Sequence, residues 1–219
     1  MNHYYHSIFG WFDFERVYHH VVSILPENSK VAEIGSWTGK SSSYLLIEAK
    51  NSDKKFDFHF CSDFENIHKY KNVDSGNCGD VYNDFTNNLD RADYPYKVYN
   101  NNSIEFSKNF KDESFDFVFI SANEDDEVLR NELKAWYPKV KKGGIIAGTD
   151  YISEKGGYSL IVDEFFYEDL ILSVEHFSTS WLVVKQYDYP ANCIINQPKH
   201  TVKCAQFGLT DESILALFQ

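Results

Sequence analysis

The alternation of short apolar runs with amphipathic segments restricts the fold of this 219-residue chain more than any other feature. The clearest run, residues 115–120, is apolar at nearly every position, as expected for a strand covered on both faces. The segment 124–137 follows it, and there Leu129 and Leu133 recur at helical spacing. Alternation of this kind predicts a Rossmann-like, doubly wound α/β fold, in which helices cover both faces of a mostly parallel sheet.

The same alternation recurs five times and ends in a hairpin. The predicted strands are 31–34, 56–61, 96–99, 115–120 and 145–147, and the hairpin strands are 171–176 and 181–185. The predicted helices are 13–25, 42–49, 81–89, 103–110, 124–137 and 159–167, and the polar stretch 141–144 predicts a turn.

We expect one domain over residues 1–186, in which residues 1–26 form a lid or an interface. Residues 187–219 fall outside the pattern and are expected to form an extension that packs on the body or on a partner subunit. A short apolar helix over 211–218 is predicted within this extension.

Composition excludes several classes of protein. Acidic residues outnumber basic ones by 33 to 21, for a net charge of −12, which argues against a nucleic-acid partner. No run approaches the roughly 18 apolar residues of a membrane span, and no signal peptide is visible, so we expect a cytoplasmic protein without a membrane partner. The 4 cysteines show no Cys-x-x-Cys spacing, which argues against structural zinc or disulfides.

Ligands of a doubly wound sheet bind at the carboxyl ends of its strands. Directly after the first predicted strand, Gly35 and Gly39 are four residues apart and precede a helix, which allows backbone to approach a ligand closely. The spacing matches neither a phosphate-binding P-loop nor a dinucleotide-binding loop. Glu33 would repel phosphate and would suit a cationic or amino-bearing ligand. The alternative is a tight turn without a ligand.

The pattern Glu33-x-Gly35-x-x-x-Gly39 resembles the first motif of the class I S-adenosylmethionine-dependent methyltransferases. The blocks 8–14, 31–41, 112–120 and 135–151 are similar to the small-molecule and sugar O-methyltransferases of that family. The resemblance covers about residues 8–186, and the tail has no counterpart. It implies a seven-stranded sheet with an antiparallel last strand, S-adenosylmethionine as cofactor and a small-molecule acceptor.

The resemblance also implies roles for single residues. The loop 35–39 would lie against the methionine part of the cofactor, with Glu33 near its amino group. Asp63 would bind the ribose hydroxyls, although the acid of the family also aligns with Ser62. Asn102 would lie near the adenine, or be an ordinary turn residue. The implied cofactor-binding set is Glu33, Gly35, Ser36, Trp37, Gly39, Ser41, Asp63, Asn102, Ser103 and Ser121.

Departures from the family pattern affect the reacting groups. Its usual Asp-Ala-x-His run is replaced by a run from Ser121 to Glu124, and its Gly-His-Asp-Tyr segment has Thr149 in place of histidine. Relatives use such groups to bind a divalent metal or to remove the acceptor proton. Asp150 is therefore the first candidate for catalytic base or metal ligand and Glu124 the second catalytic candidate, and together they could hold Mg²⁺. Alternatively, Glu124 is only part of a solvated helix N-terminus, where an acidic side chain interacts favourably with the helix dipole.

These observations predict an S-adenosylmethionine-dependent O-methyltransferase that acts on a hydroxyl of a small acceptor. A sugar or a glycosylated intermediate is compatible with the aromatic segment 4–14, because aromatic rings stack on sugar rings. That segment and the apolar tail also suggest a homodimer. The alternative is a catalytically impaired, cofactor-binding homologue that serves as a binding or assembly module. A nicotinamide-dependent oxidoreductase is disfavoured by the glycine spacing.

Overall fold

A computed structural model describes residues 1–65, 80–121, 125–151, 157–166, 170–173 and 179–185 of the chain. The strands are β1 (Lys30–Ile34), β2 (Asp57–Ser62), β3 (Lys97–Asn100), β4 (Phe115–Ile120), β5 (Val140–Gly148), β6 (Leu170–Ser173) and β7 (Trp181–Val184). The α-helices are α1 (Glu15–Ile24), α2 (Lys40–Asn51), α3 (Val81–Asp90), α4 (Ser103–Ser107), α5 (Asp126–Trp136) and α6 (Ser159–Phe165). Within these ranges, no helix combines the length and the apolar character that crossing a membrane requires.

The strands form one sheet with the order β3-β2-β1-β4-β5-β7-β6. The first five strands pair in parallel, and β7 runs antiparallel to both β5 and β6. The predicted doubly wound, mostly parallel sheet with an antiparallel last strand is confirmed. β2 lies on one side of β1, and β4 lies on the other side. The strand order therefore reverses between β1 and β4, and doubly wound sheets bind their ligands at such a point.

Two apolar clusters cover the two faces of the sheet, as the continuous apolar run of β4 requires. Phe117 and Phe119 pack with α1, α2 and α3 on one face. Val118 and Ile120 pack with α4, α5 and α6 on the other face. Each fully buried side chain of this size stabilises the fold by roughly 2 kcal/mol, so the central strands fix the positions of the loops that follow them.

The structure corrects the turn predicted at 141–144. These residues lie inside β5, which begins at Val140. Phe115 pairs with Val140 and Phe117 pairs with Ile145, so residues 141–144 lie opposite a single residue of β4 and form a bulge. The Gly143 amide donates to the Lys185 carbonyl over 2.8 Å, and the Lys185 amide donates to the Gly144 carbonyl over 2.9 Å. These bonds to the segment after β7 keep a polar, glycine-containing stretch in the sheet.

The other predicted elements are present with small differences at their ends, and the helix predicted over 103–110 already ends at Ser107. The predicted extension 187–219, with its helix over 211–218, lies outside the described residues. Its packing stays a prediction.

Gly148, the last residue of β5, provides a test of the packing at the strand ends. A Cβ there would lie 2.6 Å from the Ile120 carbonyl oxygen and 2.5 Å from the ring of Trp181, which is fully buried. We expect Gly148→Ala to lower the free energy of unfolding by about 2 kcal/mol, because backbone and a buried indole cannot move away cheaply.

Gly143→Asn is the matched control in the same strand. Nothing lies within 4 Å of its Cβ position, and asparagine tolerates its positive φ better than other side chains. Urea denaturation compares the two variants, and equal stabilities would contradict the packing described at the end of β5.

Candidate active site

The loop between β1 and α2 lies at the carboxyl end of the central strand, beside the point where the strand order reverses. Gly35 and Gly39 have φ values of 85° and 82°, in the left-handed region that glycine adopts at little cost. A Cβ on Gly35 would lie 2.8 Å from the Ser121 carbonyl oxygen, and the Ser121 amide donates to the Ile34 carbonyl over 2.8 Å. The structure thus brings the predicted loop and Ser121 into direct contact.

Trp37, in the middle of this loop, has a φ of 43°, which is uncommon for a bulky residue. Backbone strain of this kind costs of order 1 kcal/mol or more, and it persists where surrounding packing holds it, often at functional sites. The ring of Phe9 lies 5.3 Å from the Trp37 ring in an edge-to-face arrangement. The aromatic N-terminal segment therefore helps to hold the loop.

Two polar contacts also tie the N-terminal segment to this loop. The Thr38 hydroxyl donates to the Phe9 carbonyl over 2.5 Å, and the Lys40 ammonium donates to the Gly10 carbonyl over 2.8 Å. The same segment leaves Phe9 and Trp11 exposed, with 55% and 73% of their surfaces accessible. The role of this segment as a lid or an interface stays a prediction.

Glu33 lies below the loop and not in it. Its side chain is fully buried, and its carboxylate accepts hydrogen bonds from the Ser41 hydroxyl over 2.5 Å and the Ser42 hydroxyl over 2.9 Å. The phenol of Tyr18 on α1 faces the same carboxyl group. Burial raises the pKa of Glu33 to about 7, although the three hydroxyls act in the opposite direction.

Two residues that were predicted to contact the cofactor make hydrogen bonds within the protein. The Ser41 hydroxyl is directed at Glu33, and the buried Ser36 hydroxyl donates to the Glu33 carbonyl over 3.4 Å. In this arrangement the acid supports the loop from beneath, because its side chain anchors the first turn of α2. Its predicted contact with an amino group of a ligand stays a prediction.

The carboxyl end of β2 places Asp63 at the same edge of the sheet. The Gly35 amide donates to the Cys61 carbonyl over 2.9 Å, which joins the end of β2 to the glycine loop. Asp63 follows directly and is partly buried, whereas the alternative residue, Ser62, is buried. The role of Asp63 toward ribose hydroxyls stays a prediction.

The segment after β3 lies next along this edge, since the Asn101 amide donates to the Ser62 carbonyl over 3.2 Å. Asn102 is the N-cap of α4, and its side-chain oxygen accepts from the amides of Ile104 and Glu105. Capping explains an asparagine at this position without a ligand. The Ser103 hydroxyl points inward and donates to Glu132.

Asp150 lies at the carboxyl end of β5, one strand beyond Ser121. The Thr149 amide donates to the Ile120 carbonyl over 3.2 Å, which ties this end to β4. Asp150 has a φ of 58° and its carbonyl accepts from the Tyr158 amide over 2.6 Å. Glu124 lies outside the described residues, and within the described ranges no group of three histidine, cysteine or acidic side chains could hold a metal ion. Mg²⁺ binding therefore stays a prediction.

Sequence reasoning missed Asp13, which brings a further carboxylate to this edge from the N-terminal segment. The Thr179 hydroxyl donates to its Oδ2 over 3.1 Å, and the Thr179 carbonyl accepts from the Tyr151 amide over 2.5 Å. Its Oδ1 is buried and has no hydrogen-bond partner within the described part of the chain. No sequence signal marks it, because the contact joins residues 166 positions apart.

The raised pKa of Glu33 predicts how stability depends on pH. The folded protein holds a proton on Glu33 between the ordinary value of 4.5 and about 7, where the unfolded chain releases it. We expect the free energy of unfolding of the wild type to fall by roughly 3 kcal/mol relative to Glu33→Gln between pH 4 and pH 8.

Urea denaturation across that pH range measures this difference. Glu27→Gln changes an exposed acid and is the control, whose curve should run parallel to that of the wild type. Parallel curves for the wild type and Glu33→Gln would show that burial does not hold the proton on this residue.

Comparisons with known proteins agree with this geometry. The sequence matches the family described as "Methyltransferase domain" over residues 32–151, which is more than half of the chain. None of the curated proteins matches it.

Solved structures show the same fold at low identity. A protein from Corynebacterium glutamicum superposes with a TM-score of 0.58 at 9% identity, covering 84% of this chain and 86% of that one. An rRNA methylase from Streptococcus thermophilus gives 0.54 at 9%, covering 82% and 99%. The CurJ carbon methyltransferase gives 0.50 at 13%, covering 79% and 54%.

The matched segment begins in β1 and ends directly after Asp150, so it spans the glycine loop and the ends of β2, β4 and β5. The predicted resemblance to class I methyltransferases is therefore confirmed. The chain belongs to the methyltransferase-domain family.

Proposed function

We propose that this methyltransferase transfers a methyl group from S-adenosylmethionine to a hydroxyl of a small acceptor. One observation carries the proposal: the glycine loop 35–39 follows β1, Asp150 follows β5, and both lie at the same edge of the sheet, joined across the end of β4 through Ile34, Ser121 and Ile120. A cofactor loop and a carboxylate at one edge supply a site for the methyl donor and a group to accept the acceptor's proton.

The residues present fit this cofactor. The loop leads into α2, a helix of 12 residues, whose N-terminal amides favour the carboxylate of a methionine moiety. The acid at the end of β2, Asp63, is a hydrogen-bond acceptor for ribose hydroxyls. The Lys40 ammonium is directed at the Gly10 carbonyl, so the described part of the loop presents no cation against a sulfonium. Bound here, the cofactor would supply an electrophilic methyl carbon.

Asp150 is the group proposed to act on the acceptor. Its carboxylate would take the hydroxyl proton, and the acceptor oxygen would use the freed electron pair to bond the methyl carbon as the carbon–sulfur bond breaks. In-line alignment of the two reactants lowers the barrier further. Glu124 is the second candidate for this role. Mg²⁺ held through Asp150 would act on the same hydroxyl by lowering its pKa.

A small acceptor is favoured over a polynucleotide. The net charge of −12 opposes binding of a phosphate backbone, and the structural similarity to an rRNA methylase at 9% identity concerns the fold alone. The exposed rings of Phe9 and Trp11, next to the glycine loop, favour an acceptor with a face on which aromatic rings stack, such as a sugar.

The replacement of an acid by Ser121 and of a histidine by Thr149 supports a second candidate function. A homologue without turnover would still bind the cofactor and would serve as a binding or assembly module. The two functions differ in a single observable, which is methyl transfer to any acceptor.

Isothermal titration of the folded protein with S-adenosylhomocysteine tests the shared part of both functions. We expect binding, and no detectable binding would contradict both. Transfer of labelled methyl groups from S-adenosylmethionine to a panel of monosaccharides, nucleotide sugars and phenols, with and without added Mg²⁺, then separates them.

We expect Asp150→Asn to lower the rate of methyl transfer by about 10²-fold or more, with affinity for S-adenosylhomocysteine within about threefold of the wild type. Asparagine tolerates the left-handed backbone at this position, so loss of the carboxylate is the main change.

Asp93→Asn is the matched control, because Asp93 has a φ of 49° and an exposed side chain that pairs with Lys50 near the end of α2, whereas the glycine loop lies at the start of that helix. It should leave both quantities unchanged. An unchanged transfer rate in Asp150→Asn would exclude Asp150 as the base.

A further inference from the structure

A second buried glutamate, Glu132 on α5, lies beneath the other half of the site. Only 5% of its surface is exposed, and its Oε1 accepts a hydrogen bond from the Ser103 hydroxyl. Its Oε2 is buried without a hydrogen-bond partner in the described part of the chain. A buried carboxyl group with one donor is costly, and such a group needs a structural or functional reason to persist.

The surroundings of Glu132 are neutral or acidic. Titratable groups that face this region are the Cys61 thiol at the end of β2, which interacts with Glu132, and Asp63, which acts on the same thiol. In the described ranges no lysine, arginine or histidine forms an ion pair with Glu132. An ionised Glu132 would therefore be a buried charge that one hydroxyl stabilises.

Glu132 is linked to the backbone that follows β3. Ser103 is the first residue of α4, directly after the cap Asn102. The Cys61 thiol, close to Glu132, donates to the Asn101 carbonyl over 3.4 Å. The segment 101–103 is thus held from beneath at two points, and one of them is Glu132.

We propose that Glu132 is a positioning residue that holds the segment 101–103 through Ser103 in the conformation that binds the adenosine part of the cofactor. The inference rests on the proposed function, since that segment is the predicted adenine contact. Glu132 acts through Ser103 and does not itself touch the cofactor.

A consequence of this arrangement is that cofactor affinity depends on pH. Burial raises the pKa of Glu132 to about 7, against the hydrogen bond from Ser103, which lowers it. Below that pH the neutral acid is accommodated. Above that pH the buried carboxylate is charged, and contact with water lowers its free energy. Entry of water loosens the start of α4 and weakens binding of the cofactor.

The test compares the wild type with Glu132→Gln, whose amide imitates the neutral acid and still accepts from Ser103. We expect similar affinities for S-adenosylhomocysteine at pH 6. From pH 6 to pH 8.5 the dissociation constant of the wild type should rise roughly tenfold more than that of Glu132→Gln. The ratio of the two constants cancels the contribution of Glu33, which both proteins share.

Two further variants sharpen the comparison. Ser103→Ala should weaken binding roughly tenfold already at pH 6, because it removes the link to the segment. Glu105→Gln, on an exposed acid of the same helix, should follow the wild type at every pH. A ratio that does not change with pH, or unaltered affinity in Ser103→Ala, would overturn the proposal.

Hydrogen exchange of residues 101–107, corrected for the intrinsic pH dependence of exchange, gives a readout without ligand. The wild type should lose protection there between pH 6 and pH 8.5, and Glu132→Gln should not. If the wild type binds no S-adenosylhomocysteine at any pH, the proposed function fails, and exchange alone then decides whether Glu132 holds the segment. Equal protection in both proteins would overturn that role.

Discussion

The parallel pairing of β1 with β4 sets the position of every candidate residue. Residues Val31 to Ile34 align with Phe117 to Ile120, so both strands end at the same level. The chain leaves β1 through Gly35 and leaves β4 through Ser121, and the two residues are in contact. Since β2 and β5 flank this pair, their ends contribute Asp63 and Asp150 to the same edge. The site follows from the register of four strands.

Two buried glutamates support this edge from below, one on each side. Glu33 lies under the glycine loop with two serine donors, and Glu132 lies under the segment after β3 with one. Burial raises the pKa of both to about 7. Both supports therefore hold a proton more firmly than an ordinary glutamate does, and the proposed pH dependence of cofactor binding rests on this property of Glu132.

Much of the fold could be predicted from the sequence where local pattern and tertiary packing agree. The strand β4 has the predicted bounds, because a continuous apolar run has no stable place except between two covering layers. The polar stretch 141–144 was predicted wrongly as a turn, since the backbone bonds from Lys185 that keep it in β5 depend on a distant strand.

The site was predictable where motifs fix the backbone and not where side chains meet across the fold. The glycines of the loop have the predicted permissive conformation. The turning of Glu33 toward the serines of α2 and the approach of Asp13 to Thr179 leave no pattern in the sequence. Glu132 differs from these two, because it lies three residues after Leu129 and directly before Leu133, within the apolar stripe of α5, and this spacing indicates its burial.

We propose that the carboxyl ends of β1 and β2 hold the cofactor of this methyltransferase. A crystal structure of the protein with S-adenosylhomocysteine tests it most directly. We predict that the amino-acid part of the ligand lies along the loop 35–39 and that its ribose hydroxyls meet Asp63. A ligand bound elsewhere, with the loop and Asp63 untouched, would show that this edge of the sheet is not the cofactor site.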